Sequence, residues 1–307
     1  MSIFAGIEIG GTKLQIIYEN DNGNIVHRFR ANINPEEGAE IILRQIREDI
    51  LSFTTHTPLT SIGVGFGGPI DRSRGLILQS FQVKGWSGFP IYDWFQSWCP
   101  VPIVIENDAN VAAFGEAMRG AGKKYSRVFY ITNGSGVGSG FVMDKKLYVG
   151  AGSVEMEFGH LRIDMSGMEL EQKCSGWAIN REIRDRIQSD PSSDLARLVS
   201  CDPGHEARHL STALAKGDPT AKQIFSDTLN VFAFALSHVI HLLGPDVIII
   251  GGGLSLIGKP LCDVVTSHLQ KHLIDIFRPG PPVMIALLGE DVVPLGAIEY
   301  AKQFYKT

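Results

Sequence analysis

Three apolar segments of this chain run straight into glycine: residues 4–9 into Gly10 and Gly11, residues 128–132 toward Gly134, and residues 247–250 into Gly251, Gly252 and Gly253. Glycine at the end of a strand lets bare backbone approach another body closely. The first two segments are followed by further apolar runs, at 14–18 and 140–143, so each reads as a hairpin bent around a Gly/Thr or Gly/Ser turn. The same device used twice is a weak internal repeat. It predicts two related α/β halves, each offering backbone N–H groups to one ligand. The length of 307 residues, beyond the size at which one core keeps growing, agrees with two lobes and a cleft between them. No Pro/Gly/Ser-rich linker divides the chain, so the boundary, near Gly120, follows from the repeat alone.

Between these segments the apolar period changes to that of a helix. Ile42, Ile46 and Ile50 form one stripe after Pro35, and a second helix is expected from Asp218 and Pro219, which suit a cap and a first turn, through Ile224, Leu229, Leu236 and Ile240 to a stop at Gly244 and Pro245. Strands alternating with helices along the whole chain mean an α/β fold with mixed sheets. With 44% apolar and 20% charged residues the composition is that of an ordinary globular protein. Net charge is −5 and no run of Lys and Arg could neutralise a track of phosphates, which excludes nucleic acid as a partner. The first residues lack the basic region of a signal peptide, and the apolar stretch 232–243 is too short and too polar to span a bilayer, so no membrane is expected and the location is cytoplasmic. Cys99, Cys174, Cys201 and Cys262 are scattered without metal-ligand spacing and read as reduced thiols.

Five segments hold residues fit for chemistry. Gly10, Gly11, Thr12 and Lys13 place N–H donors, a hydroxyl and an ammonium at one turn, suited to phosphate oxygens or simply to a hairpin; the spacing is not that of a P-loop. In the run from Asn133 to Gly140 four glycines alternate through a strand pair, and a strand follows where a dinucleotide-binding fold needs a helix, which disfavours nicotinamide and flavin chemistry. At 104–110 a strand ends in polar residues and a small-residue helix starts; Asn107 or Asp108 serves as its cap, or Asp108 accepts a hydroxyl proton, and both can hold at once. Glu157 and His160, three residues apart around a glycine, suit the vicinal hydroxyls of a sugar, and 63–71 adds another strand and tight turn at Gly67 and Gly68.

In chain order the elements GIEIGGTK, GVGFGGPID, KGWSGFP, IENDANVAAFGEA, ITNGSGVGSG, EMEFGH, LEQKCSG and PDVIIIGGGLS together resemble the ROK family of sugar kinases, over nearly the whole chain. The resemblance implies a two-lobed actin-like ATPase (ribonuclease H-like) fold with a ligand cleft, here a smaller lobe of 1–119 with 293–307 and a larger one of 120–292. It implies ATP-dependent phosphorylation of a hexose, with Asp108 as general base. Sugar ligands would be Asn107, Glu157, His160 and Glu171, with Gly67, Gly68 and Gln82 lining the same pocket. The nucleotide cradle would be Gly10, Gly11, Thr12, Lys13, Thr132, Asn133, Gly134, Ser135, Gly136, Gly251, Gly252 and Gly253. Glu8, where the family usually has Asp, would act on Mg²⁺ through water.

Three departures from the family pattern carry expectations of their own. Where relatives bind a structural zinc through the His of the ExGH element and three cysteines, this chain keeps only Cys174 between His160 and Ser175, so zinc is expected to be absent and the loop supporting Glu171 to be shaped differently. Gln82 replaces the usual Asn four residues before Trp86, and Asn133 stands where an aliphatic residue usually precedes the glycines. The resemblance puts glucose first among substrates, ahead of fructose, mannose, allose and N-acetylhexosamines, leaves polyphosphate as an alternative donor, and favours a homodimer. Two rivals are a sugar-responsive transcription regulator, which would carry a helix-turn-helix domain ahead of Gly6 where five residues stand, and a non-catalytic sugar sensor.

Overall fold

The computed structural model describes residues 2–80, 82–151 and 155–305. Its strands are β1 (Ile3–Ile9), β2 (Lys13–Asn20), β3 (Ile25–Asn32), β4 (Ser61–Phe66), β5 (Ile70–Asp71), β6 (Leu76–Ile77), β7 (Ile103–Asn107), β8 (Arg127–Asn133), β9 (Val137–Met143), β10 (Lys146–Leu147), β11 (Val247–Gly251) and β12 (Val283–Ile285). One five-stranded sheet has the order β3-β2-β1-β4-β7, the other β10-β9-β8-β11-β12, and β5 pairs with β6. The chain divides into two compact units, 1–124 with 140–155 and 288–307, and 125–139 with 156–287. Set beside the boundaries expected from the sequence, this division falls a few residues after Gly120 and returns 140–155 to the first unit. The reason is local: Gly140 lies where a Cβ would stand 2.7 Å from Ala113 Cβ, and Lys145 Nζ donates to the carbonyls of Ala117 at 2.6 Å and Lys123 at 2.8 Å.

In the first unit β1 pairs antiparallel with β2 and parallel with β4, and β4 pairs parallel with β7. The two faces of β1 are sorted by its period of two. Ile3, Ala5, Ile7 and Ile9 join the core that includes Ile42, Ile46 and Ile50 of the helix Ala39–Thr54, so the expected stripe is the buried one. Phe4 packs instead with Leu295 and Ile298 of the C-terminal helix Val292–Tyr305. On that face Gly6 and Gly63 are paired in register, and a Cβ on them would lie 2.0 Å from Pro294 O and 2.0 Å from Ala297 O respectively. Without side chains there, the helix backbone rests directly on the sheet.

In the second unit β11 lies parallel to both β8 and β12. The 25-residue helix Pro219–Leu243 begins as its sequence predicts, with Asp218 Oδ1 accepting from Ala221 N at 2.7 Å and Pro219 in the first turn, and it closes at Gly244 in the left-handed conformation (φ 55°). By length and composition alone this helix could cross a membrane. Ile224, Leu229, Phe232, Leu236 and Ile240 are nevertheless all buried in this unit.

Candidate active site

In the first unit the β1–β2 turn is tied down by its own backbone. Gly10 N donates to Lys13 O at 3.0 Å, Ile33 N to Thr12 O at 2.9 Å, and Gly67 N, just past the end of β4, to Ile9 O at 2.9 Å. The last bond joins the proposed phosphate turn to the turn at Gly67 and Gly68. Gln82 reaches the same place: a Cβ on Gly11 would fall 1.3 Å from Gln82 Oε1, so the longer amide occupies the space that a side chain at 11 would need. Lys13 Nζ lies 2.9 Å from Glu8 Oε2. At that distance the ammonium makes an ion pair and a hydrogen bond with Oε2. Burial pushes the Glu8 carboxyl above its usual range, and the Lys13 ammonium pulls it part of the way back. A carboxylate beside the turn at Gly10 and Gly11 is a hard oxygen donor of the kind that holds hydrated Mg²⁺, so the residues present suit the ion that the family resemblance implies.

Of Asn107 and Asp108, Asn107 is the one that caps the helix Asp108–Met118: its Oδ1 accepts from Ala109 N at 2.9 Å and Asn110 N at 3.2 Å, and its Nδ2 donates to Gly68 O at 3.3 Å. Asp108 opens the helix, where the macrodipole favours a carboxylate by about 0.3–1 kcal/mol. Its Oδ1 accepts from Ala109 N at 2.7 Å, and its Oδ2 faces Gly67, 3.3 Å from where a Cβ would stand. Asp108, Asn107, Gly67 and Gly68 are thus brought together, half-buried, at the ends of β4 and β7.

Behind them is a group whose members lie in or beside the motifs, Glu106 in IENDANVAAFGEA, Glu155 opening EMEFGH and Arg72 just after GVGFGGPID, but whose pairing no motif shows. Glu106, fully buried in β7, and Glu155, 3% exposed, flank the guanidinium of Arg72, while Asn110 Nδ2 donates to Oε1 of each glutamate at 3.0 Å. One signal is available in the sequence: a charged residue between Ile105 and Asn107 at the end of an apolar strand needs a buried partner.

In the second unit the turn 134–136 is closed by Gly134 N donating to Gly136 O at 3.0 Å, and it is held from behind by Gly176 N, which donates to Gly134 O at 2.8 Å at the start of the helix Gly176–Ser189. Thr132 lies beside Gly251 in the β8–β11 register. Gly252 has φ 77°, and a Cβ there would meet Asn133 O at 2.4 Å, so this close crossing of the turns requires glycine. Gly253 opens the 3-10 turn Gly253–Ile257. The side chain of Asn133 is buried and donates to Cys174 O at 2.8 Å; it ties two loops together and is spent on the protein itself. Ser135 O accepts from Trp177 N at 3.4 Å.

Glu157 precedes the 3-10 turn Phe158–His160. His160 Nδ1 donates to Glu169 Oε2 at 3.0 Å, which raises the imidazole above its ordinary value and lowers the Glu169 carboxyl. Glu169 carries no signal in the sequence, because its partner is set by the loop between them. Glu171 turns toward the glycine turn, with Oε2 3.5 Å from Val137 N and 3.2 Å from where a Gly136 Cβ would stand. One ligand atom from each of His160, Glu169 and Glu171 lies within 4.8 Å of the others, a set of one nitrogen and two oxygens. Cys174 stands apart from it: the buried thiol, pushed up to about 12 by burial, donates to Thr228 O at 3.5 Å.

A model of the ROK family matches residues 4–304. The chain is similar to a glucokinase of Thermotoga maritima, 28% identical over 306 residues that span 97% of this chain and 96% of the other. It is also similar to a xylose repressor of Caldicellulosiruptor bescii, 25% identical, over 95% of this chain and 76% of the repressor. Among solved structures, a ROK family glucokinase from Streptomyces griseus in complex with glucose and AMPPNP superposes with a TM-score of 0.85 at 30% identity, covering 98% of this chain and 100% of that one. The expected two-lobed, actin-like α/β fold is therefore borne out.

Proposed function

This chain belongs to the ROK family, and on that premise we propose that it transfers the γ-phosphoryl group of ATP to a hexose hydroxyl, converting glucose first of all to glucose 6-phosphate. The observation that carries the reading is the placement of Asp108, at the first position of a helix with Oδ2 over Gly67, one backbone hydrogen bond from the β1–β2 turn. Asp108 takes the proton of the 6-hydroxyl as its oxygen bonds to the γ-phosphorus and the bond from that phosphorus to the β-phosphate oxygen breaks, releasing ADP. Asn107 orients the sugar beside it. Glu157, His160 and Glu171 act as further sugar ligands, with Glu169 fixing the ring of His160 so that Nε2 is presented.

The turns at 10–13, 134–136 and 251–253 hold the nucleotide through their backbone, and Asn133 contributes by shaping its turn. Bound with the nucleotide, Mg²⁺ would draw off charge developing on the transferred group, and Glu8 is the residue that would hold it through water. The similarity to a solved glucokinase with glucose and AMPPNP supports glucose as acceptor and ATP as donor. We further propose a cytoplasmic homodimer that needs no zinc.

The test is a coupled assay of ADP release from ATP, or of polyphosphate consumption, across glucose, fructose, mannose, allose and N-acetylhexosamines. Glucose-dependent ADP release at the highest kcat/KM is expected. Absence of sugar-dependent turnover with every sugar and both donors would sink the kinase reading. Sugar binding without turnover would instead favour a regulator, the reading to which the similarity with a xylose repressor points.

A further inference from the structure

We infer that Arg72 is a positioning residue for the base, holding through Glu106 and Glu155 the turn of backbone on which Asp108 stands. The inference rests on the reading of Asp108 given above. Arg72 follows β5 directly and is 17% exposed on its side chain. Its guanidinium grips Glu106 with two parallel bonds, Nε to Oε2 at 2.5 Å and Nη2 to Oε1 at 2.7 Å, and grips Glu155 through Nη1 to Oε2 at 3.2 Å and through Nη2 to Oε1.

Glu106 Oε1 is the centre of this arrangement. Besides Arg72 it accepts from Asn107 N at 2.7 Å and from Asn110 Nδ2 at 3.0 Å. Those two donors stand one residue before and two residues after Asp108. Fixing them fixes the backbone entering the helix, and with it the direction of the Asp108 carboxylate. Glu155 extends the grip through its own bond from Asn110 Nδ2 at 3.0 Å.

Two carboxylates buried side by side need a cation between them, and only a planar fork can serve both in this geometry. Lysine at 72 would keep the charge but lose the parallel pair. These four guanidinium bonds end on Glu106 and Glu155, and through these carboxylates Arg72 reaches the backbone beside Asp108.

The experiment compares wild type with Arg72→Lys and Arg72→Met in steady-state kinetics, with amide hydrogen exchange measured at 107–110. Arg72→Met is expected to lower kcat by about 10²-fold, the size of effect that follows misplacement of a reacting group, with KM for ATP unchanged. Arg72→Lys should give a smaller drop in kcat together with faster exchange at Asn107 and Asn110, and it serves alone if Arg72→Met does not fold. If wild type turns over sugar while Arg72→Lys leaves both kcat and exchange at wild-type values, the positioning role is overturned and the kinase reading stands. The positioning role is likewise overturned if the variant loses thermal stability with kcat intact. If wild type turns over no sugar, both the kinase reading and the assignment of Arg72 to a base fall together.

Discussion

The two five-stranded sheets share one order and differ in chemistry. In each, a hairpin with a glycine turn is followed by a parallel strand that ends in glycines, β4 at Gly67 and Gly68 and β11 at Gly251 to Gly253, and then by a further parallel strand, β7 or β12. The first sheet adds charge at these ends: Glu8 with Lys13, and Asp108 after β7. In the second, the corresponding turn is backed by neutral donors, Asn133 on Cys174 O and Gly176 on Gly134 O, and its charged neighbour Glu171 comes from outside the sheet. One scaffold thus presents glycine turns twice, with charge carried by the sheet's own strand ends and the helix after β7 in the first copy and brought by Glu171 from a separate segment in the second.

The packing differs in the same direction. Gly6 and Gly63 let the C-terminal helix backbone sit on the first sheet, whereas in the second Tyr130 and Ile249, themselves a register pair, bring large buried side chains. Close backbone contact makes the first unit intolerant of added volume.

The largest effect should come from the charged end of the first sheet. Asp108→Ala is expected to lower kcat by about 10²- to 10⁴-fold with nucleotide affinity retained, measured by turnover and by calorimetric titration with a non-hydrolysable ATP analogue. Wild-type turnover in that variant would erase the chemical distinction between the sheets. Next, Gly63→Ala should destabilise by about 1–3 kcal/mol in denaturant unfolding, as overpacking does, while Ile249→Val in the second sheet should lose only about 0.5–1.5 kcal/mol. Equal losses would mean that the packing contrast carries no energy.

Asn133→Ala sharpens the contrast between the two turns. Leaving Cys174 O without its donor should cost about 1–3 kcal/mol of stability, with KM for ATP little changed; a large rise in KM at unaltered stability would return Asn133 to direct contact with phosphate. The smallest effect concerns pH. Because the imidazole of His160 is raised in the folded state, its pairing with Glu169 contributes stability fully below about pH 6.5, the unfolded value, and loses it as pH climbs through the folded value. The lowered Glu169 carboxyl sets the other limit, its contribution vanishing as pH falls through its folded value. The difference in Tm between wild type and Glu169→Gln should therefore be larger at about pH 5.5 than at about pH 8.5. A difference independent of pH would show that the pair is not ionic.

Much of the fold was legible because its signals are local. The stripe at Ile42, Ile46 and Ile50, the Asp218 cap with Pro219, and the strand-to-glycine turn at Gly10 are each dictated by neighbours within a few residues. The candidate base was legible for the same reason, since a strand ending in Asn107-Asp108 before a small-residue run admits few other shapes. Which of the two residues caps the helix was not; it needed the observation that Asn107 Oδ1 accepts from Ala109 N and Asn110 N.

By itself the sequence determined the alternation of strand and helix, the doubled glycine hairpin and the polar residues placed at strand ends, because hydrophobic period and backbone conformation are properties of short stretches of chain. Tertiary structure alone decided that Arg72 meets Glu106 and Glu155, 34 and 83 residues away, that Asn133 turns inward to Cys174, and that Gln82 fills the space over Gly11. The physical reason is that buried polar groups are stable only in pairs. Which pair forms depends on how distant segments are brought together, and no local pattern encodes that.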